Sequence, residues 1–331
     1  MGFNKNNSQK SISSLRVFIS CTLPDYVCHD ISQSFKAVFN TADKFPDQGK
    51  LVELLSGVDA IIVTATDTLD RDTICRLSPG IKAIATYSVG IDHIDLEAAR
   101  ESGIAVFNTP DVLTDAVAEV AMLLIIGAAR RATESICLIR NGRWEGWTPE
   151  QLNGIELRGK SLGILGMGRI GQAVAHRATA FGMNILYTNS RRLPPELEGT
   201  AHFHQNPEKM LSLADVVMLS CPSTPETYHF LNESRISRMQ PGSIVVNIGR
   251  GSVVHDPSLI AALRSGHIRA AGLDVFENEP AFDRRYLELP NVFMLPHIGS
   301  STVETRRRMG LLLIEGLRQF ERGEMPSNRL V

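Results

Sequence analysis

Six short apolar runs in this chain each stop abruptly at a glycine or a polar residue. That repeated ending constrains the fold more than any other feature. Ser161–Leu165 runs into Gly166, Ile185–Tyr187 towards Asn189, and Val216–Leu219 towards Cys221 and Pro222. Ser243–Val246 leads to Arg250, Ala271–Leu273 to Asp274, and Val292–Leu295 to His297. Runs this short and this continuous fit strands buried on both faces of a parallel sheet. Parallel strands deliver their carboxyl ends to one edge, where open α/β sheets bind ligands. The polar residues that close the runs are therefore expected on a single rim.

The earlier part of the chain shows the same alternation. Arg16–Ser20, Ala60–Thr64 and Ile81–Thr86 read as strands, and Leu51–Leu55 and Asp72–Leu77 as helical stretches between them. The alternation breaks around Phe107–Pro110. A helical pattern then runs from about Asp115 to Arg140, and Asn141–Gly154, rich in Gly and Trp, reads as a loop. Thr302–Arg322 is expected to form one amphipathic helix stopped by Gly323. At 331 residues the chain exceeds one comfortable core, so two domains are expected.

Several function classes are excluded at this level. The formal charge of −2 gives no reason to expect nucleic acid or an anionic membrane surface as partner. The apolar stretch Val117–Ala129 is interrupted by Glu119 and is too short to span a bilayer, so it reads as a buried helix. The first fourteen residues are polar and lack an apolar core, and so read as a loose tail rather than a signal peptide. Five scattered cysteines with no CxxC pair predict neither a disulfide framework nor a metal site, and fit a reducing, cytoplasmic setting.

Gly166-Met167-Gly168-Arg169-Ile170-Gly171 has the GxGxxG spacing of a dinucleotide site, between a strand and a helix over Ile170–Phe181 closed by Gly182. Gly166 suits the tight turn, Gly168 the close approach of a pyrophosphate, and Gly171 the packing of helix on strand. The free N–H groups of the helix start favour the phosphates. NAD-selective sites place an acid at the end of the next strand to hold the ribose 2′-hydroxyl. Here that position reads Asn189-Ser190-Arg191-Arg192, neutral then basic, which predicts NADP(H) preference with NAD(H) possible.

The remaining rim residues, an anion binder and an acid–base pair beside a dinucleotide site, suit hydride transfer. Arg250, between two glycines after a strand, offers a fork of donors for a carboxylate. His297, closing the last run, is an imidazole that can protonate a carbonyl oxygen as it becomes an alkoxide. A carboxylate bonded to that imidazole would fix its tautomer, and Glu277 and Glu279 are both candidates on chemistry alone. Cys221 has no base beside it in sequence and is not a nucleophile candidate.

The chain resembles the D-isomer-specific 2-hydroxyacid dehydrogenases over nearly its whole length. The resemblance rests on Ser88–Asp95, Val117–Glu119, Gly166–Gly171, Asn247–Gly251, Asp274–Pro280 and Pro296–Gly299. Within that family Thr114-Asp115 and the Trp144/Trp147 loop are most similar to glyoxylate/hydroxypyruvate reductases. The resemblance implies an α/β fold of two doubly wound parallel-sheet domains with a cleft between them. A flavodoxin-like substrate domain would comprise residues 1–109 and 302–331, and a Rossmann dinucleotide-binding domain 110–301.

It also implies roles. Arg250, Glu279 and His297 would be catalytic, with Glu279 rather than Glu277 paired to the histidine. Ser88, Val89 and Gly90 would line the substrate site, the last two through backbone N–H groups. Thr114, Arg169, Ile170, Cys221, Pro222, Thr227, Ile248, Asp274 and Gly299 would contact the cofactor, Asp274 through the nicotinamide carboxamide. A small 2-oxo or 2-hydroxy acid is the expected partner, with a homodimer built on the Asp115–Arg140 helix and its Trp loop. The chain ends soon after its last helix, so the regulatory extension of many phosphoglycerate dehydrogenases is not expected. The alternatives are an enzyme for larger acids such as 2-ketogluconate or phenylpyruvate, and a non-catalytic, cofactor-sensing corepressor-like module.

Overall fold

The computed structural model describes residues 13–40, 54–77 and 79–331. Two compact units result, one from residues up to Leu113 with Thr302–Val331, the other from Thr114–Ser301. Residues 110–113, expected with the second unit, lie with the first.

The first unit holds β1 (Arg16–Ile19), β2 (Lys36–Phe39), β3 (Ala60–Val63), β4 (Ala83–Thr86) and β5 (Ala105–Phe107). All are parallel, in the order β2-β1-β3-β4-β5. The interior strands β3 and β4 are buried along their whole length, which is why they read as unbroken apolar runs. The strands β2 and β5 were not expected. Each lies at a sheet edge; β2 opens with a lysine and is buried along none of its length, and β5 has only three residues, so neither stands out as a buried strand. The free side of β5 is covered by the C-terminal segment, where Phe107 bridges Arg329 and Leu330 N–H donates to Val106 O.

The last helix runs over Val303–Glu321, with Thr302 Oγ1 accepting from Thr305 N–H as N-cap and Gly323 left-handed beyond its end. It packs on the helix Asp25–Ser32 and on β4. Of the helical stretch expected at Leu51–Leu55, residues 51–53 lie outside the described residues, as do residues 1–12 of the expected tail; Leu54 is helical.

The second unit holds β6 (Ser161–Leu165), β7 (Asn184–Thr188), β8 (His202–Phe203), β9 (Val216–Leu219), β10 (Ser243–Asn247), β11 (Ile268–Leu273) and β12 (Val292–Met294). These are parallel in the order β12-β11-β10-β9-β6-β7-β8. The strand order reverses between β6 and β9, the point at which doubly wound sheets open a crevice at their carboxyl ends. Val217, Leu219, Val245, Leu263, Leu273 and Val292 form part of one buried cluster. Burial of each such side chain stabilises by about 1.5–3 kcal/mol.

The helix expected over Asp115–Arg140 is two helices, Thr114–Ala129 and Ala132–Arg140. Arg131 breaks them with a left-handed φ of 56°, while its guanidinium grips both oxygens of Glu134 at 2.6 and 2.7 Å. The break, Ala129-Arg130-Arg131-Ala132, holds no glycine, proline or asparagine, so no local stop signal revealed it. The first helix is buried on most sides and presses on β11, where a Cβ at Gly272 would lie 2.8 Å from Leu124 O. Among the described residues no helix is long and apolar enough to cross a membrane.

Asp256 opens the helix Asp256–Ser265 and is buried, its carboxylate accepting from Tyr286 Oη at 2.7 Å. Burial pushes this carboxyl up to about 6; the Tyr286 bond works against the rise and the charge of Glu277 adds to it. A folded-state value above the unfolded one favours the fold at low pH, and that contribution is lost as pH rises through about 6. Asp256→Asn keeps an acceptor for Tyr286 and removes the charge. It should raise stability at pH 8 by about 1–3 kcal/mol and leave it unchanged at pH 4, as urea midpoints at the two pH values would show.

Candidate active site

The glycine loop connects β6 to the helix Arg169–Ala180, and each glycine meets a different demand. Gly166 has a φ of 96°, and a Cβ on it would lie 2.7 Å from Cys221 N. A Cβ on Gly171 would lie 2.5 Å from Gly166 O, so this glycine sets the helix close against the turn. At Gly168, the N-cap, a Cβ would meet nothing within 4 Å. The space beside Gly168 at the helix start is therefore open, as the close approach of a pyrophosphate requires. Nothing local demands a glycine at 168 except that approach. The residues present fit a dinucleotide.

At the end of β7, Asn189 is turned inward. Its Oδ1 accepts from Met167 N–H at 2.6 Å and so holds the glycine loop. Arg192 is not a free cation, because Glu198 takes its Nε and Nη2 at 2.8–3.1 Å. Glu198 also accepts from Tyr187 Oη at 2.7 Å. Arg191 and Ser190 are exposed, and among the described residues Arg191 makes no hydrogen bond or ion pair.

In the segment after β9, Cys221 is buried, and burial pushes its thiol up to about 11, against the pull of Arg250. The thiol is therefore un-ionised at neutral pH. Thr227 Oγ1 donates to Pro222 O at 2.7 Å and accepts from Thr224 N–H at 2.8 Å, folding the loop upon itself. Thr114 begins its helix, half-buried, and Ile248 is buried beyond β10.

Arg250 sits on the turn that leaves β10. Asn247 shapes that turn: its Oδ1 accepts from Gly249 N–H at 3.1 Å and its Nδ2 donates to Arg250 O at 2.9 Å. Gly251 follows, and a Cβ there would overlap the Phe276 carbonyl carbon. The turn is thus pressed against the segment leaving β11, which carries Glu277 and Glu279. Arg250 lies near enough to Glu279 to stabilise its carboxylate.

Glu279, not Glu277, meets His297: Nδ1 of the imidazole is hydrogen-bonded to Glu279 Oε1. The other carboxylate oxygen accepts from Phe276 N–H at 3.1 Å. Burial tends to raise the Glu279 carboxyl, but the His297 bond and charge, the Phe276 N–H and Arg250 outweigh it and hold it below the usual carboxylate range. His297 has a left-handed φ of 53°, unusual for a residue with a Cβ. Asp274 sustains that turn. It accepts from Ile298 N–H and Gly299 N–H, each at 2.8 Å, and its main-chain O accepts from His297 N–H. Burial of Asp274 raises its carboxyl despite those two bonds.

Glu277 has a partner of its own, His229 Nε2, at 2.9 and 3.0 Å. His229 N–H also donates to Ser252 O at 2.8 Å. His229 thus links the loop after β9, the Arg250 turn and the acidic segment. Neither His229 nor Asn247 was singled out from sequence as a site residue. His229 lies between apolar runs and its partner Glu277 stands far along the chain, while Asn247 closes an apolar strand and its side chain bonds to the turn beside it.

In the first unit, Ser88–Gly90 follows β4 and is half-buried. Ser88 Oγ donates to Gly90 O at 2.6 Å, and Thr86 Oγ1 is hydrogen-bonded to both Ser88 Oγ and His93 Nε2.

The family described as D-isomer specific 2-hydroxyacid dehydrogenase, NAD binding domain, matches residues 122–299. A glyoxylate reductase of Thermococcus litoralis is 41% identical over 317 residues, covering 95% of this chain and 96% of its own. A glycerate dehydrogenase of Hyphomicrobium methylovorum is 40% identical, covering 90% and 93%. Among solved structures, an NADPH-dependent glyoxylate/hydroxypyruvate reductase from Sinorhizobium meliloti, in complex with NADP and malonate, superposes with a TM-score of 0.87 at 32% identity, covering 96% of this chain and 97% of that one.

Gly168→Asp separates folding from binding. Aspartate is a good N-cap, so thermal stability should hold or rise. Its carboxylate would occupy the space of the pyrophosphate, and dinucleotide affinity should fall roughly 100-fold, about 2.7 kcal/mol, in a nucleotide fluorescence titration.

Proposed function

Because this chain belongs to the D-isomer-specific 2-hydroxyacid dehydrogenase family, we propose that it reduces glyoxylate and hydroxypyruvate to their 2-hydroxy acids, with NADPH preferred over NADH. The observation that carries this reading is the Glu279–His297 pair next to Arg250, on a sheet whose β6 ends in an open glycine cradle.

In this reading Gly166, Gly168, Arg169, Ile170 and Gly171 hold the pyrophosphate, while Thr114, Cys221, Pro222, Thr227, Ile248, Asp274 and Gly299 flank the rest of the cofactor. Asp274 has its two oxygens on backbone donors and uses remaining lone pairs for the carboxamide. The reduced nicotinamide, when bound, supplies a hydride to C2 of the substrate. Arg250 and the N–H groups of Val89 and Gly90 bind the substrate carboxylate. Glu279 occupies Nδ1 of His297, so Nε2 carries the proton delivered to the carbonyl oxygen. The carboxylate stabilises the imidazolium before transfer, and solvent restores the proton afterwards. One hydride and one proton convert the carbonyl to a hydroxyl.

NADP(H) preference rests on Arg191, exposed and without a partner among the described residues, beside Ser190 and with no acid ending β7. Arg192 lends its remaining donors from the pose that Glu198 imposes. The exposed Trp144 and Trp147, after the helix Ala132–Arg140, suit a homodimer contact, and the scattered free cysteines suit the cytoplasm.

Absorbance at 340 nm should fall rapidly with NADPH and either glyoxylate or hydroxypyruvate. Arg250→Ala and His297→Ala should each lower kcat/KM at least 100-fold; turnover that survives both would favour the cofactor-sensing reading. Arg191→Ala should raise KM for NADPH about tenfold and leave that for NADH unchanged. Equal kcat/KM with NADPH and NADH in the parent would remove the NADP(H) preference, and unchanged selectivity in Arg191→Ala would remove Arg191 from it; either leaves the catalytic assignment intact.

A further inference from the structure

The loop Ser88–Gly90 owes its shape to hydrogen bonds from behind. Thr109 N–H donates to Ser88 O at 2.9 Å, and Asn108 Nδ2 donates to Val89 O at 3.0 Å. In a trans peptide the C=O and the following N–H point in opposite directions. Pinning the carbonyls of Ser88 and Val89 on one side therefore aims the N–H groups of Val89 and Gly90 at the other. Among the described residues neither N–H makes a hydrogen bond.

Asn108 is itself held by a residue from the far end of the chain. Its N–H donates to Asn328 O at 3.2 Å, and Asn328 Nδ2 donates to Asn108 O at 2.9 Å. Both asparagines are buried. Room for Asn328 exists because the last helix offers it Gly316, where a Cβ would lie 2.7 Å from Asn328 Oδ1. The residues after it are fastened to β5 by the Leu330 N–H bond to Val106 O.

We propose that Asn328 and Asn108 form a two-amide relay through which the C-terminal segment aims the Val89 and Gly90 N–H groups at the substrate carboxylate. Both act as positioning residues. The proposal rests on the reading that these N–H groups receive the carboxylate. Two N–H groups already held in place bind a carboxylate with little loss of freedom, whereas a loop that must first be ordered binds it more weakly. The relay thus affects substrate affinity more than the chemical step or the cofactor.

The test uses Asn108→Asp and Asn328→Asp, near-isosteric changes that delete the two Nδ2 donors. KM for glyoxylate should rise about tenfold in each, with kcat within twofold of the parent and the Kd for NADPH unchanged by fluorescence. An unchanged KM, or a parallel loss in KM, kcat and NADPH affinity, overturns the relay. Hydrogen exchange of the 88–90 segment in the parent protein, with NADPH and oxamate, tests the premise separately. Slower exchange on adding oxamate keeps the carboxylate reading whatever the variants do; unchanged exchange withdraws it, and the relay with it.

Discussion

A side chain at Gly251 would overlap the Phe276 carbonyl, and the site in the second unit depends on that exclusion. The backbone leaving β10 lies directly against the backbone leaving β11, so Arg250 is brought up to the acidic segment Asp274–Glu279 with nothing between. Asn247 shapes the first of these turns and His229 fastens it to the second. Arg250 and Glu279 are thus positioned by packed main chain rather than by flexible side chains. Catalytic geometry needs that rigidity, because small misplacements of reacting groups are costly in rate.

Three carboxylates within the acidic segment are made different by their surroundings. Asp274 is buried beneath the turn, and its oxygens accept from the backbone of Ile298 and Gly299. Glu277 is taken by His229, and Glu279 by His297 with Arg250 nearby. Burial raises the first, while charge and hydrogen bonding lower the last. One segment therefore supplies a scaffold acid, a link between loops and a partner for the proton donor, separated by environment alone.

The parallel sheet provides the common frame. Every strand of the second unit runs in the same direction, so the ends of β6, β7, β9, β10, β11 and β12 share one edge. The glycine turn ends the first of these and His297 follows the last. The same logic acts in the first unit, where the Ser88–Gly90 loop leaves the carboxyl end of β4 and is held by residues that follow β5.

Much of this was legible in the chain before any coordinates. Interior strands buried on both faces must be continuous apolar runs, so β6, β9 and β10 could be located nearly to the residue, and the glycine cradle and Arg250 with them. The edge strands β2, β5 and β8 escaped, since β2 is poorly buried and β5 and β8 have only three and two residues. The break at Arg131 escaped because it holds no glycine or proline, only residues that a helix accepts. Chemistry alone left Glu277 and Glu279 open, and the family resemblance pointed to Glu279, which the fold brings to His297. Tertiary structure alone decided that His229 holds Glu277 and that Asn328 reaches Asn108. Periodicity and glycine spacing record what each residue does with its near neighbours and with solvent. A hydrogen bond between side chains distant in sequence leaves no local trace, and it exists only once the sheet has brought its partners together.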